Sequence, residues 1–254
     1  MEILKVNSLN QPYKVKEILL LKPIAHRGLH DRARGIPENS LVAFSEAIRY
    51  GYPIELDVQL LKDGNLAVFH DESLERMCDA SVKIQDLDYL TIKDFFLQGT
   101  RESIPLLSEV LSLVKGQVPL IIEIKQPNKV GNLETELASL LDTYNGLYAV
   151  QSFNPLSLAW FATHRPAVLR GQLSGNYRGE RINVIVKFIL KNFLLNWKSK
   201  PNFIGYDQKS MPNRRVARMR KRNMPIICWT VRSKEEYEQI FEKCDNIIFE
   251  NFTP

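Results

Sequence analysis

The chain has 254 residues, 44% of them apolar and 25% charged, with a net charge of +5. One domain spanning residues 1–254 is the simplest reading, because ~250 residues is the usual size of an α/β barrel. Its three cysteines, Cys78, Cys228 and Cys244, are scattered and exclude a disulfide framework or a zinc knuckle, while the modest charge suits an anionic substrate without requiring one.

Residues 1–23 are broken by Lys5, Lys14, Lys16 and Glu17, and the apolar run 18–21 is too short for a signal-peptide core. No stretch reaches the ~20 apolar residues of a membrane span, so a cytoplasmic protein is expected. Apolar runs then recur near residues 23–26, 53–58, 119–124, 147–151, 167–172, 203–207, 225–231 and 246–250. Helical patterns separate them, as in βα units around a parallel sheet. The first opens at Pro37-Glu38-Asn39-Ser40, places Leu41, Phe44, Ala47 and Ile48 on one side, and stops at Gly51. Residues 72–103 read as a short irregular insertion after the second strand that leaves the pocket open. Further helices are expected at 107–115, 133–144, 156–164, 213–222 and 234–244. Eight strands with intervening helices, and no Gly-rich dinucleotide loop, predict a closed (β/α)₈ TIM barrel rather than a doubly wound sheet. No eighth helix follows the last strand, so segment 1–21 is expected to cover that part of the barrel wall.

A parallel strand buried on both faces should be almost continuously apolar, which makes internal carboxylates anomalous. In Ile54-Glu55-Leu56-Asp57-Val58 the two acids share one face of the strand, and in Ile122-Glu123-Ile124-Lys125 the charged pair does the same. Three buried carboxylates are costly unless a cation sits among them. Glu55, Asp57 and Glu123 therefore predict a site for one divalent cation, Mg²⁺ or Ca²⁺, since all-oxygen ligands favour a hard ion. The alternative is a metal-free ion-pair network with Lys125 and Arg27. His26 and His70 each close an apolar run, at what should be the C-terminal, catalytic face of the barrel. Cleaving a phosphodiester needs one base and one acid, which two histidines supply. Arg27 and Lys125 would hold phosphate oxygens, Gly28 would let backbone approach the substrate, and Asp71 would orient His70.

Together His26-Arg27-Gly28, Pro37-Glu38-Asn39-Ser40, the run from Glu55 through Lys62-Asp63-Gly64 to His70-Asp71, Glu123-Ile124-Lys125 and Trp229-Thr230-Val231 resemble the glycerophosphodiester phosphodiesterase family. The resemblance covers residues 23–252. It implies an α/β barrel in which Glu55, Asp57 and Glu123 bind one divalent ion, His26 is the base and His70 the acid. It further implies that Lys125 contacts phosphate, that Trp229 lines the glycerol site, and that the products are glycerol 3-phosphate and an alcohol. Where the family commonly ends on an aspartate and a helix, this chain has Ile248-Phe249-Glu250-Asn251, which removes no acid/base or metal position. Two rivals stand beside the glycerophosphodiester reading: lysophospholipase D-like cleavage on the same barrel, and an inactive barrel binding a phosphorylated ligand or a protein partner.

Residues 181–197 are basic and apolar, with Ile182, Ile185, Val186, Ile189, Phe193 and Leu194 at helical spacing. They read as a barrel helix packed on strands or a second subunit, or as a helix resting on an anionic membrane. The arginines at 214–222 fall all round a short helix, so no nucleic-acid partner is expected. His30 and His164 have no carboxylate constellation around them and are expected to be structural or exposed, although His30 lies near enough to His26 to border the pocket. The oligomeric state is not legible.

Overall fold

Short runs rich in Ile, Val and Leu favour strands, and each here is followed by an amphipathic stretch that can fold back over it. The computed structural model describes residues 15–125, 129–179 and 182–254. Its strands are β1 (Ile24–Ala25), β2 (Ile54–Leu60), β3 (Leu66–Val68), β4 (Leu120–Ile124), β5 (Tyr148–Ser152), β6 (Leu169–Ser174), β7 (Phe203–Asp207), β8 (Ile226–Val231) and β9 (Asn246–Phe249). The main helices are α1 (Leu41–Tyr50), α2 (Leu107–Val114), α3 (Asn132–Thr143), α4 (Pro155–His164), α5 (Val184–Lys191), α6 (Arg214–Arg220) and α7 (Lys234–Ile240). All strands but β3 pair in parallel, and β1 bonds both β9 and β2, closing an eight-stranded barrel. Local signals set the helix ends as expected: Ser40 accepts from the Ala43 N–H at the start of α1, and Gly51 ends it at φ 67°.

Two apolar layers hold the barrel. Ile54, Leu56 and Val58 point outward to pack with Phe44, Ala47 and Leu107 of the helices. Inside, Ile24, Ile121, Ala149, Leu169, Phe203, Ile227 and Ile248 fill the lower lumen. Gly171 is required there, because a Cβ at that position would lie 2.2 Å from Phe203 Cζ. Residues 15–21 do not cover the wall as expected. Ile18 and Leu19, 1% and 0% exposed, plug the lumen floor, which would otherwise open its apolar side chains to water. Asn246 Nδ2 fastens this turn by donating to Leu19 O and Lys22 O, both at 2.6 Å. The first 14 residues of the expected segment lie outside those described. Among the described residues no helix follows β9, and its outer side is covered by aromatic rings: Phe249 meets Tyr52 at 5.1 Å and Phe252 at 5.8 Å.

Two further expectations are corrected. Residues 72–103 are not irregular: short helical turns there share a separate apolar core with Leu61, Phe69, Ile104 and Leu106, including buried Leu74, Met77, Ile84, Ile92 and Leu97. The segment read as a strand-packed helix is only half packed. Ile189, Leu190 and Phe193 turn inward, while Val184, Ile185 and Phe188 are 80%, 70% and 60% exposed. Arg181 lies outside the described residues.

If the floor plug stabilises the barrel by burial, Leu19→Ala should lower the unfolding free energy by about 2–5 kcal/mol. A urea titration would show a lower midpoint at an unchanged slope.

Candidate active site

The strand alternation that sends Ile54, Leu56 and Val58 outward sends Glu55 and Asp57 into the upper lumen. Parallel register sets Asp57 opposite Glu123. One oxygen from each of Glu55, Asp57 and Glu123 falls within 4.8 Å of the others, and the residues are 1%, 1% and 8% exposed. Asn39 Nδ2 donates to Asp57 Oδ2 at 2.9 Å, a role for the Pro37–Ser40 motif beyond starting a helix. Lys125 Nζ lies 2.8 Å from Glu123 Oε1 and 3.3 Å from Asp57 Oδ1, and Arg27 Nε lies 3.3 Å from Asp57 Oδ2. Among the described residues, Glu55 receives the Arg27 N–H and Gln151 Nε2, each at 3.2 Å, and no side-chain cation.

The ion-pair network is therefore real but short by one charge: among the described residues two cations face three carboxylates. Burial drives the Asp57 pKa up, yet Lys125 and Arg27 outweigh it and hold the group well below the usual carboxylate range. Burial, with Asp57 and Glu123 alongside, pushes Glu55 well above that range. Burial favours a neutral Lys125, but Glu123 and Asp57 keep it charged. The donor set fits a divalent cation: three clustered hard oxygens carry the uncompensated charge, and Gln151 Oε1 is buried beside them with no hydrogen-bond partner.

His26 and His70 flank this cluster, and Asp57 interacts electrostatically with both. His26 Nδ1 lies 2.5 Å from Glu250 Oε2, and Arg232 Nε lies 2.7 Å from Glu250 Oε1. Burial opposes the Glu250 charge, but the bonds from His26 and His30 keep the carboxylate ionised. An ionised carboxylate only accepts, so Nδ1 carries the hydrogen and Nε2 is left for chemistry. Burial, outweighing the Glu250 bond, lowers the His26 pKa, which leaves the ring neutral at neutral pH. His70 repeats the device: Nδ1 is 2.5 Å from Asp71 Oδ1, and Arg76 Nε donates to Asp71 Oδ2 at 2.5 Å. Arg76 also bonds Glu38, which bridges to Arg27 at 2.5 Å.

The residues given a site role from the sequence reach this end of the barrel, with some changes of detail. His70 does not end a parallel barrel strand; β3 runs antiparallel to β2 and returns the chain to the mouth. Gly28, at φ 80°, is demanded by α1 rather than by a substrate, since a Cβ there would lie 2.9 Å from Ala43 C. Trp229 on β8 meets Phe153 edge-on at 5.5 Å, and Phe153 meets Tyr177 at 6.3 Å. Phe153 and Tyr177 line a cavity of about 240 Å³ with Glu123, Lys125, Ile182 and Leu190. Sequence reasoning missed this aromatic wall, and it missed Glu250; an acid just past an apolar strand was the available signal. It also gave His30 no carboxylate, whereas His30 Nε2 is 3.4 Å from Glu250 Oε2. His164 stays apart, stacked on Trp160 at 4.4 Å.

Arg27, Lys125, three buried acids and two imidazoles held by carboxylates thus converge at the mouth of the closed barrel. The model of the glycerophosphoryl diester phosphodiesterase family matches residues 26–250, and the chain belongs to that family. It is 34% identical over 161 residues to a glycerophosphodiester phosphodiesterase of Bacillus altitudinis, a match covering 59% of this chain and 64% of that protein, a little under two thirds of its length. It is 33% identical over 143 residues to a lysophospholipase D of Homo sapiens, covering 51% of this chain and 44% of the other. Among solved structures, an Oleispira antarctica phosphodiesterase in complex with the product sn-glycerol-3-phosphate superposes with a TM-score of 0.75. That match has 21% identity and covers 91% of this chain and 93% of the other, a likeness of fold.

Because Glu55 is the carboxylate without a cation, Glu55→Gln should raise the melting temperature in EDTA by ~2–4 °C, equivalent to about 1 kcal/mol. Wild type should gain more than the variant when Mg²⁺ or Ca²⁺ is added. Calorimetry showing a lower melting temperature for the variant in EDTA, or equal gains with metal, would refute the charge imbalance.

Proposed function

We propose that the protein hydrolyses glycerophosphodiesters to glycerol 3-phosphate and an alcohol by two-histidine acid/base catalysis, with one divalent ion, Mg²⁺ or Ca²⁺, held by Glu55, Asp57 and Glu123. The observation that carries this reading is the pair of imidazoles, each fixed at Nδ1 by an ionised carboxylate, beside one acid cluster. When bound, the ion supplies charge neutralisation and Lewis-acid polarisation of the phosphate. Arg27 and Lys125 grip non-bridging phosphate oxygens, the first as a planar fork and the second as a point charge. His26 Nε2, on a ring kept neutral by burial, takes the proton from the attacking hydroxyl. That nucleophile is either water, giving glycerol 3-phosphate directly, or the glycerol 2-hydroxyl, giving a cyclic phosphate that water then opens to glycerol 3-phosphate. His70, protonated on Nε2, passes its proton to the departing alcohol oxygen as the P–O bond breaks. Trp229 and Phe153 give the glycerol an apolar wall, and the unpartnered Trp229 Nε1 offers a donor to it.

The lysophospholipase D-like alternative draws support from the cavity lined by Phe153, Tyr177, Ile182 and Leu190, which suits an apolar tail, and from the human relative's activity. An inactive binding barrel would need the cations but not two buttressed histidines. A reducing, cytoplasmic setting belongs to this reading, supported by Cys78, Cys228 and Cys244 all being free thiols. Among the described residues, no helix is long and apolar enough to cross a membrane.

Release of glycerol 3-phosphate from glycerophosphocholine should disappear in EDTA and return with Mg²⁺ or Ca²⁺. His26→Ala and His70→Ala should each lower kcat by about 10²–10⁴ while remaining folded, and near wild-type turnover in either would defeat the assignment. Glu250 raises the His26 pKa, so Glu250→Gln should move the acid limb of the kcat/KM profile to lower pH and reduce its plateau. An unmoved limb would remove Glu250 from the role of orienting the base.

A further inference from the structure

We propose that the outward side of α5 and of the turn Asn196–Ser199 is a docking surface for an anionic lipid bilayer. Val184, Ile185, Phe188 and Trp197 are 80%, 70%, 60% and 70% exposed, a concentration of large apolar side chains in solvent. Residues 182–200 contain four lysines, Lys187, Lys191, Lys198 and Lys200, and no acid. On a helix, Lys187 and Lys191 fall on the same side as Val184 and Phe188, so cations interleave with the apolar face. Lys198 Nζ sits 5.2 Å from the centre of the Trp197 ring, pairing an interfacial aromatic with a cation. Apolar side chains ringed by lysines match the acyl boundary and headgroups of an anionic membrane.

Charge decides between this occupant and a second copy of the chain. In a two-fold dimer through this face the lysines would meet their own counterparts with no acid between them, on a chain of net charge +5. The bilayer instead supplies the missing anions. The inner side of the same segment lines the cavity that holds Glu123 and Lys125, through Ile182 and Leu190. Docking would thus set that cavity against the lipid. The proposal stands on the surface itself and does not rest on the reaction assigned above.

Sedimentation of the full chain with vesicles of phosphatidylglycerol and phosphatidylcholine, against phosphatidylcholine alone, tests it. Binding is expected only to the anionic vesicles and should be reversed as NaCl rises from ~50 mM to ~0.5 M. Affinity should fall about fivefold for each of Lys187 and Lys191 changed to Gln, and more for Phe188→Asp. Trp197→Phe should abolish the blue shift of fluorescence seen on binding. None of these side chains belongs to the site, so hydrolysis of soluble glycerophosphocholine should continue unchanged and serves as the check on folding. Failure to bind anionic vesicles, or wild-type binding by the variants, would overturn the proposal and leave the hydrolase reading untouched. A dimer abolished by Phe188→Asp would overturn it in favour of a second copy.

Discussion

Crowding three carboxylates into a low-dielectric lumen is the constraint to which the rest of the upper barrel answers. Closure of the parallel sheet fixes which side chains face inward, and Glu55, Asp57 and Glu123 are all buried there. Their desolvation must be offset locally. Lys125 comes from the end of the strand that carries Glu123, while Arg27 and Asn39 come from the loop after β1. Both loop residues sit in the left-handed region, at φ 54° and 55°, an uncommon conformation for non-glycine residues. Such backbone persists where surroundings over-determine it. Here the Asn39 N–H bonds Arg27 O, which ties the two strained residues together under the acid cluster.

The same reasoning explains what the sequence makes legible. Apolar runs reveal the eight barrel strands because burial on both faces demands them, and Glu55, Asp57 and Glu123 stand out because they violate that demand. Ser40 and Gly51 mark the ends of α1 because capping is a local matter. Features that depend on distant partners are not legible this way. Leu66–Val68 reads as any short strand, and only its pairing with β2 shows that it runs backwards. Ile18 and Leu19 look like wall residues until the floor of the lumen is seen to need a plug. Glu250 is 224 residues from His26, and nothing local couples them. Apolar spacing in 182–194 predicts a helix with a buried side, yet periodicity is blind to how much of that side finds a partner.

The two histidines share a design but not an environment, and the difference matches the division of labour proposed for them. His26 is 13% exposed and His70 is 33% exposed at the side chain. A base must be neutral before it can accept a proton, and burial secures that for His26. An acid that protonates a departing alcohol serves best where that alcohol can leave, and the more open ring is His70. The carboxylates differ as well. Glu250 is backed by Arg232 and His30, whereas Asp71 belongs to a chain through Arg76 and Glu38 to Arg27.

That chain gives the insertion a purpose beyond lengthening a loop. Arg76 sits on the short helix Glu75–Cys78, whose neighbours Leu74 and Met77 are anchored in the insertion's own apolar core. The arginine is thereby held over Asp71 and Glu38 by packing, so that ordering it does not fall on exposed ion pairs, which alone contribute little. Rigidity built from buried leucine, isoleucine and methionine is passed through one guanidinium to both His70 and Arg27. A loop without that core could carry the same charges, but it would not hold His70 and Arg27 in one fixed relation above the barrel.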